Sequence, residues 1–478
     1  MKHFLQPLWL YAVCLLMTAC GIAHAPDKTF TGNPQKGQSR NDITFTGSQN
    51  ETNMDSLGSV SWMAHANGKY YLKSNSSQEF YVYIQVKGNE VQQDKKRAPL
   101  NISLVLDRSG SMRGDKIAYA RKAAAFLVQQ LSQDDVLSLV NYDNQVEVMS
   151  PSAPVKNKEA LIKKIMALQD RGATNLSGGM LEGYSQVIET KKEGYVNRVL
   201  LMTDGLANEG ITDPERLKKI SASMYLEEGV ALSTFGLGAD YNEDLLTILA
   251  ETGRANYYFI DNPDKIPGIF AAELKGLLSV VAQNSLVEIN IPDGLECVKA
   301  YGYPYEIKGG KVQVRLNDVY SRDEKGILFK FRSRGAISES LAFKCKLQFV
   351  EATDFKPVTD SKTISLEPAS EPSLVKNSED LLVQEMIALF EATDRFDEVL
   401  TRVDAGQYDR ARALADSVVT SLRKKQQTLP SAKLKKQEET IAAYSKDLDK
   451  VKQMREEDKK MYQKYNKGTN YNFKKGKQ

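Results

Sequence analysis

The sequence predicts an α/β domain with a mostly parallel sheet, set between antiparallel β-strands that form a small sandwich and followed by a helical region. Three observations predict it. Between about residues 99 and 280, the short apolar runs ISLVLD, VLSLVNY, RVLLMTD and VALSTFGLG alternate with helical segments, as strands buried on both faces of a sheet do. On either side of that region, apolar and polar residues alternate with the period of half-buried strands. Beyond about residue 375, apolar residues recur at helical spacing. The 478 residues exceed one ordinary domain, and 41% hydrophobic with 26% charged side chains are proportions of a globular chain.

Residues 1–19 read as an export leader. Lys2 precedes the apolar run LQPLWLYAVCLLM, which is too short to span a bilayer comfortably. The segment MTAC, ending at Cys20, resembles the lipobox of bacterial lipoproteins, with Met17 where that family prefers Leu. The resemblance implies cleavage before Cys20, lipidation of its sulfur and a place on a membrane of the bacterial cell envelope. AHA at residues 23–25 is a competing A-x-A cleavage site, which would leave a soluble periplasmic protein beginning at Pro26. Residues 20–58, rich in Gly, Ser, Thr, Asn and Asp, read as a flexible tether.

Within residues 59–98, QEFYVYIQVKG alternates as a strand, and a lone hairpin is marginal. These strands are therefore expected to pair with those of residues 281–370, where LVEINI, KVQVRL, ILFKF and LAFKCKLQF alternate in the same way. The α/β domain, residues 99–280, would then be inserted in one sandwich. Its helices are expected near 114–132, 157–169, 175–192, 213–228, 243–253 and 263–279. Cys297 and Cys345 can join in a disulfide, since the chain is exported, or stay as two buried thiols. Residues 375–466 read as three helices divided at DAGQ (404–407) and Pro430, the last extending from the body, with a disordered tail at 467–478. Residues 421–478 carry 17 Lys/Arg against 7 Asp/Glu, although the net charge of the chain is only +3.

The chemistry concentrates in NISLVLDRSGSMRGDK. A buried strand ends in Asp107, and Ser109 and Ser111 follow at alternate positions. The segment RGATNLSGG places Thr174 in a glycine-bearing loop that opens a helix, and LLMTDG ends another buried strand in Asp204. Ligands of open parallel sheets bind beyond the carboxyl ends of the strands, so these three segments can share one edge. Two carboxylates and three hydroxyls form a hard, all-oxygen donor set, suited to Mg²⁺, Ca²⁺ or Mn²⁺ and poor for zinc or copper. Each residue alone has a plainer reading as a helix cap or turn residue.

The order DRSGS, then Thr174, then TDG resembles the metal-ion-dependent adhesion site of the von Willebrand factor type A family, and the likeness covers about residues 99–280. It implies a Rossmann-like sheet with a divalent metal at its top. Ser109, Ser111 and Thr174 would touch the metal, Asp107 and Asp204 would act through water, and a partner's carboxylate would fill the vacant position. Arg108, Arg113 and Arg171 stand near these loops and could steer an acidic partner.

The expected function is thus a metal-dependent adhesion or assembly module rather than an enzyme. The partner is a protein supplying Asp or Glu, with membrane contact through the lipid and no nucleic acid. A metal-assisted hydrolase is the alternative, and it lacks a His or Cys near the site as base or nucleophile. A scaffold acting through the basic C-terminal helices is a third reading.

Overall fold

The computed structural model describes residues 54–90 and 97–475. The leader, Cys20, most of the tether and residues 476–478 lie outside the described residues.

The central sheet has six strands: β1 (Leu100–Asp107), β2 (Val136–Tyr142), β3 (Val146–Pro154), β4 (Val196–Thr203), β5 (Ala231–Leu237) and β6 (Arg254–Ile260). They lie in the order β6-β5-β4-β1-β2-β3. Only β3 runs antiparallel to its neighbour. Every residue of β1, β2 and β5 is buried, which is why these strands read as mostly apolar runs without alternation. Helices α1 (Asp115–Gln130), α2 (Lys158–Met166) and α6 (Ile266–Leu277) pack on one face, and α3 (Leu176–Glu189), α4 (Pro214–Glu228) and α5 (Glu243–Thr252) on the other. Strands β3 and β6 were not anticipated. VEVMSPSAP contains two prolines and is half exposed at the sheet edge, and RANYYFI lacks an apolar run of its own.

Antiparallel strands before and after this domain form one sandwich. In one sheet, Glu79–Gly88 pairs with Glu324–Ser333, placing Ile84 opposite Ile327. The facing sheet is built on Val280–Asn290, Leu341–Glu351 and Pro357–Ala369. Trp62, Phe80, Phe329, Phe331 and Phe343 fill the space between. The α/β domain is therefore inserted in the sandwich, as the fold class requires. Cys297 and Cys345 are free thiols, which corrects the bridged alternative. They lie on the two opposed sheets of the sandwich. Burial pushes the Cys297 thiol up to about 11 and the Cys345 thiol up to about 12.

The C-terminal region departs from the three expected helices. A short α7 (Pro372–Asn377) precedes α8 (Leu381–Asp404), α9 (Tyr408–Thr428), α10 (Ala432–Gln453) and α11 (Glu456–Lys474). Met454 and Arg455 are extended, and this breaks the expected last helix. Glu456, Glu457 and Asp458 then favour a new helix N-terminus. Helix α11 does not extend from the body, and residues 467–474, expected in a disordered tail, belong to it. Its buried face is largely polar (Gln463, Lys464, Asn466 and Asn470), with Tyr471 and Phe473, so no apolar period announced it. Asn470 donates to Thr393 O at 3.0 Å, and Lys464 Nζ donates to Tyr241 O at 2.8 Å. Among the described residues, no helix is long and apolar enough to cross a membrane.

Candidate metal centre

At the carboxyl edge of the sheet, three loops meet. β1 ends in Asp107, whose Oδ1 accepts the N–H of Ser109 at 2.7 Å and whose Oδ2 accepts Thr203 Oγ1 at 2.6 Å. The second bond ties β1 to the end of β4 across the sheet. Ser109 Oγ lies 3.0 Å from Ser111 Oγ, and Ser111 Oγ donates to Asp204 Oδ1 at 2.7 Å. A Cβ placed on Gly205 would stand 3.1 Å from Thr174 Oγ1 and 3.3 Å from Ser111 Oγ. The hydroxyls of Thr174 and Ser111 therefore converge over the Cα of Gly205, a position where the absence of a side chain matters.

The structure thus brings Asp107, Ser109, Ser111, Thr174 and Asp204 into one cluster. It also removes the cap readings of three of them. The cap of α3 is Asn175, which accepts from Gly178 N–H, so Thr174 is not needed as a cap. Helix α1 follows Gly114 without a side-chain cap, so neither serine serves there. Asp107, Ser109, Thr174 and Asp204 are buried, and Ser111 is exposed, so the cluster opens to solvent on the side of Ser111. Burial pushes the Asp107 carboxyl up to about 6, against the lowering effect of its bonds from Ser109 and Thr203. A buried carboxylate this costly to ionise gains from a cation beside it.

Main-chain bonds hold the loops in register. Gly110 N–H donates to Gly172 O at 3.0 Å, and Arg171 N–H donates to Arg108 O at 2.7 Å, joining the β1 loop to the Thr174 loop. Asn208 closes the third side, its Oδ1 accepting Thr174 N–H at 2.8 Å and its own N–H donating to Thr174 O at 3.2 Å. Beneath, α3 comes close to the sheet because Gly183 has no side chain; a Cβ there would stand 2.5 Å from Val105 Cγ2. Sequence reading missed Asn208, Asp143 and Lys116, since their partners lie on other loops.

Of the three arginines, Arg108 departs from expectation, while Arg113 and Arg171 stay exposed beside the loops. Arg108 is buried, donates to Asp143 Oδ2 at 2.8 Å and pairs with Glu147 at 3.0 Å. It is an internal strut and not a steering charge, because its side chain is buried against Asp143 and Glu147. Arg171 also donates to Asp143, at 2.7 Å. Arg113 pairs with Asp170 and is largely exposed. Asp143 is thereby held below the usual carboxylate range: burial opposes its charge, and the bonds from Arg171, Gln145 N–H and Arg108 outweigh it.

The donor set is oxygen only. Among the described residues, no group of three or more His, Cys, Asp or Glu is placed to hold a metal ion. His65 is paired with Asp380 in another part of the molecule, and both cysteines lie in the sandwich. Two carboxylates and three hydroxyls fit a hard divalent cation such as Mg²⁺, Ca²⁺ or Mn²⁺, with room for outside oxygens.

Comparisons with known proteins agree on the domain. Residues 101–272 match the von Willebrand factor type A domain family. The protein YfbK of Escherichia coli is 31% identical over 191 residues, covering 40% of this chain and 33% of YfbK. The chain likewise spans less than two thirds of other curated relatives it matches. Among solved structures, a von Willebrand factor type A protein from Catenulispora acidiphila superposes with a TM-score of 0.61 at 14% identity, covering 78% of this chain and 89% of that one. The ArnB paralog VWA2 from Sulfolobus acidocaldarius gives 0.57 at 17% identity, covering 86% and 98%. At these identities the superpositions speak to the fold, and their coverage reaches past the α/β domain into its surroundings. The family match and the superpositions together give residues 101–272 of this chain the von Willebrand factor type A fold.

Proposed function

We propose that this domain is a divalent-metal-dependent protein-binding module, serving adhesion or assembly. Domains of this family generally mediate protein–protein interaction. In this reading Mg²⁺, or Ca²⁺ or Mn²⁺, is held by Ser109, Ser111, Thr174, Asp107 and Asp204, and it supplies an electrophilic position for a partner's Asp or Glu carboxylate. The observation that carries the reading is the convergence of these five oxygens from three loops, with Thr174 uncommitted to any cap. Leu206, 56% exposed two residues after Asp204, offers an apolar contact at the rim. Asp107 and Asp204 are already bonded within the cluster, and His65 is committed to Asp380, which leaves a hydrolase without a base there.

The leader motif ending at Cys20 supports the further proposal of a lipoprotein on the bacterial cell envelope, with a soluble periplasmic protein as the alternative. Mass spectrometry of the mature N-terminus distinguishes them: an acylated Cys20 is expected, and an unmodified Pro26 contradicts it. The binding role is tested by pull-down from envelope extract in magnesium and in chelator. A partner retained only in magnesium and lost in Asp107→Ala is expected. A partner retained equally in chelator contradicts metal-mediated binding.

A further inference from the structure

Lys116 stands in the first turn of α1, and nothing in the five-residue pattern assigns it a part. Its Nζ donates to Asp204 Oδ2 at 2.5 Å, while Ser111 takes Oδ1 of the same carboxylate. The Asp204 side chain is fully buried and that of Lys116 is 27% exposed, so the ammonium reaches in from the solvent side. Its end passes near Gly238, just beyond β5, where a Cβ would lie 3.7 Å from Nζ and 3.8 Å from Cε, an ordinary contact distance. The charge is held at the cluster by its bond to Asp204.

We propose that Lys116 sets the charge preference of the site, making it select an anionic ligand. The inference rests on the metal-binding reading above. Two carboxylates balance a divalent cation, and Lys116 then leaves one positive charge over. A neutral ligand gains nothing from that excess, and a carboxylate does. The same ammonium opposes entry of the cation, with which it shares Asp204. One residue thus acts with opposite sign on the two binding steps, and a unit charge a few ångströms away in a partly solvated site changes each by about tenfold.

The test uses the full-length protein with Mn²⁺ as metal probe, followed by water-proton relaxation. Acetate is the anionic probe and acetamide its neutral counterpart. In Lys116→Met, Mn²⁺ affinity is expected to rise by about tenfold and acetate affinity, at saturating Mn²⁺, to fall by about tenfold. Acetamide should bind equally to both proteins, and Lys116→Arg should stay near the parent. If both affinities in Lys116→Met move in the same direction, or neither moves, Lys116 is only a structural contact and the proposal is overturned. If the parent protein binds no Mn²⁺, the metal reading fails first, and this inference with it.

Discussion

Asp318→Ala should be among the most destabilising single substitutions in the protein. The chain joins the α/β domain to the sandwich through a buried ionic hub. Arg198, on β4, is fully buried, and its Nη2 donates to Asp318 Oδ2 at 2.5 Å, while Nη1 donates to Ser233 Oγ at 3.1 Å and lies 3.6 Å from Glu273. Glu273, on α6, also accepts from Asn256 and Tyr258, each at 2.7 Å. Burial works against the charge of Arg198, and Tyr320, Asp318 and Glu273 more than restore it. Burial raises the pKa of Asp318, with Arg198 and Lys325 opposing that rise. Removing Asp318 leaves a guanidinium in the interior with one more distant carboxylate. Breaking such a pair from one side costs about 3–5 kcal/mol, whereas replacing both partners by apolar groups costs far less. Urea unfolding of the parent and of Asp318→Ala measures the cost. Asp318→Ala within about 1 kcal/mol of the parent would refute the reasoning.

Other expectations follow from the same geometry. Gly205→Ala should keep the fold and weaken metal binding in calorimetry, because its Cβ, 3.1 Å from Thr174 Oγ1, pushes that hydroxyl aside. Asp135 is buried and bonded to Arg97 at 2.6 Å and 2.8 Å and to the N–H groups of Ser132 and Leu100. Burial opposes its charge, yet these bonds hold its pKa below the usual value. Its stabilisation is present above the unfolded-state pKa near 3.8 and lost as pH falls through the lower folded value. Denaturation at several pH values should therefore show Asp135→Asn less stable at neutral pH by about 1–3 kcal/mol, the gap narrowing below pH 4. Alkylation mapped by mass spectrometry should find Cys345 protected until unfolding and Cys297, which is partly exposed, reacting sooner. Quantitative recovery of a Cys297–Cys345 bridge from the native protein would contradict the free thiols.

The α/β domain and its five-residue cluster were legible because their signals are local. A strand buried on both faces leaves a short, mostly apolar run without alternation, as LNISLVLD does, and Asp107, Ser109 and Ser111 lie within one turn of chain. Thr174 and Asp204 were legible through their own loops and the order of the motif. What supports the cluster was not legible. Asn208 fixes Thr174, Asp143 collects Arg108 and Arg171, and Lys116 meets Asp204 only because three loops fold together. Charge near a motif misled for the same reason: Arg108 looks like a surface arginine in sequence and is a buried strut. Helix α11 was hidden differently. It buries amides and lysines against Asp397, Asp404 and Tyr241, and a polar interface has no hydrophobic period to betray it.

The central claim is that the five oxygens at the edge of the sheet bind a divalent cation in the folded state. Thermal melting of the parent and of Asp107→Ala, each with and without magnesium, tests it most directly. A ligand that binds the folded state alone stabilises it by about 2.7 kcal/mol at 100 times its dissociation constant. The account predicts a melting transition that rises with magnesium in the parent and stays fixed in Asp107→Ala, which still folds. Equal magnesium dependence in the two proteins would contradict it and reduce Asp107 to a residue that closes a turn.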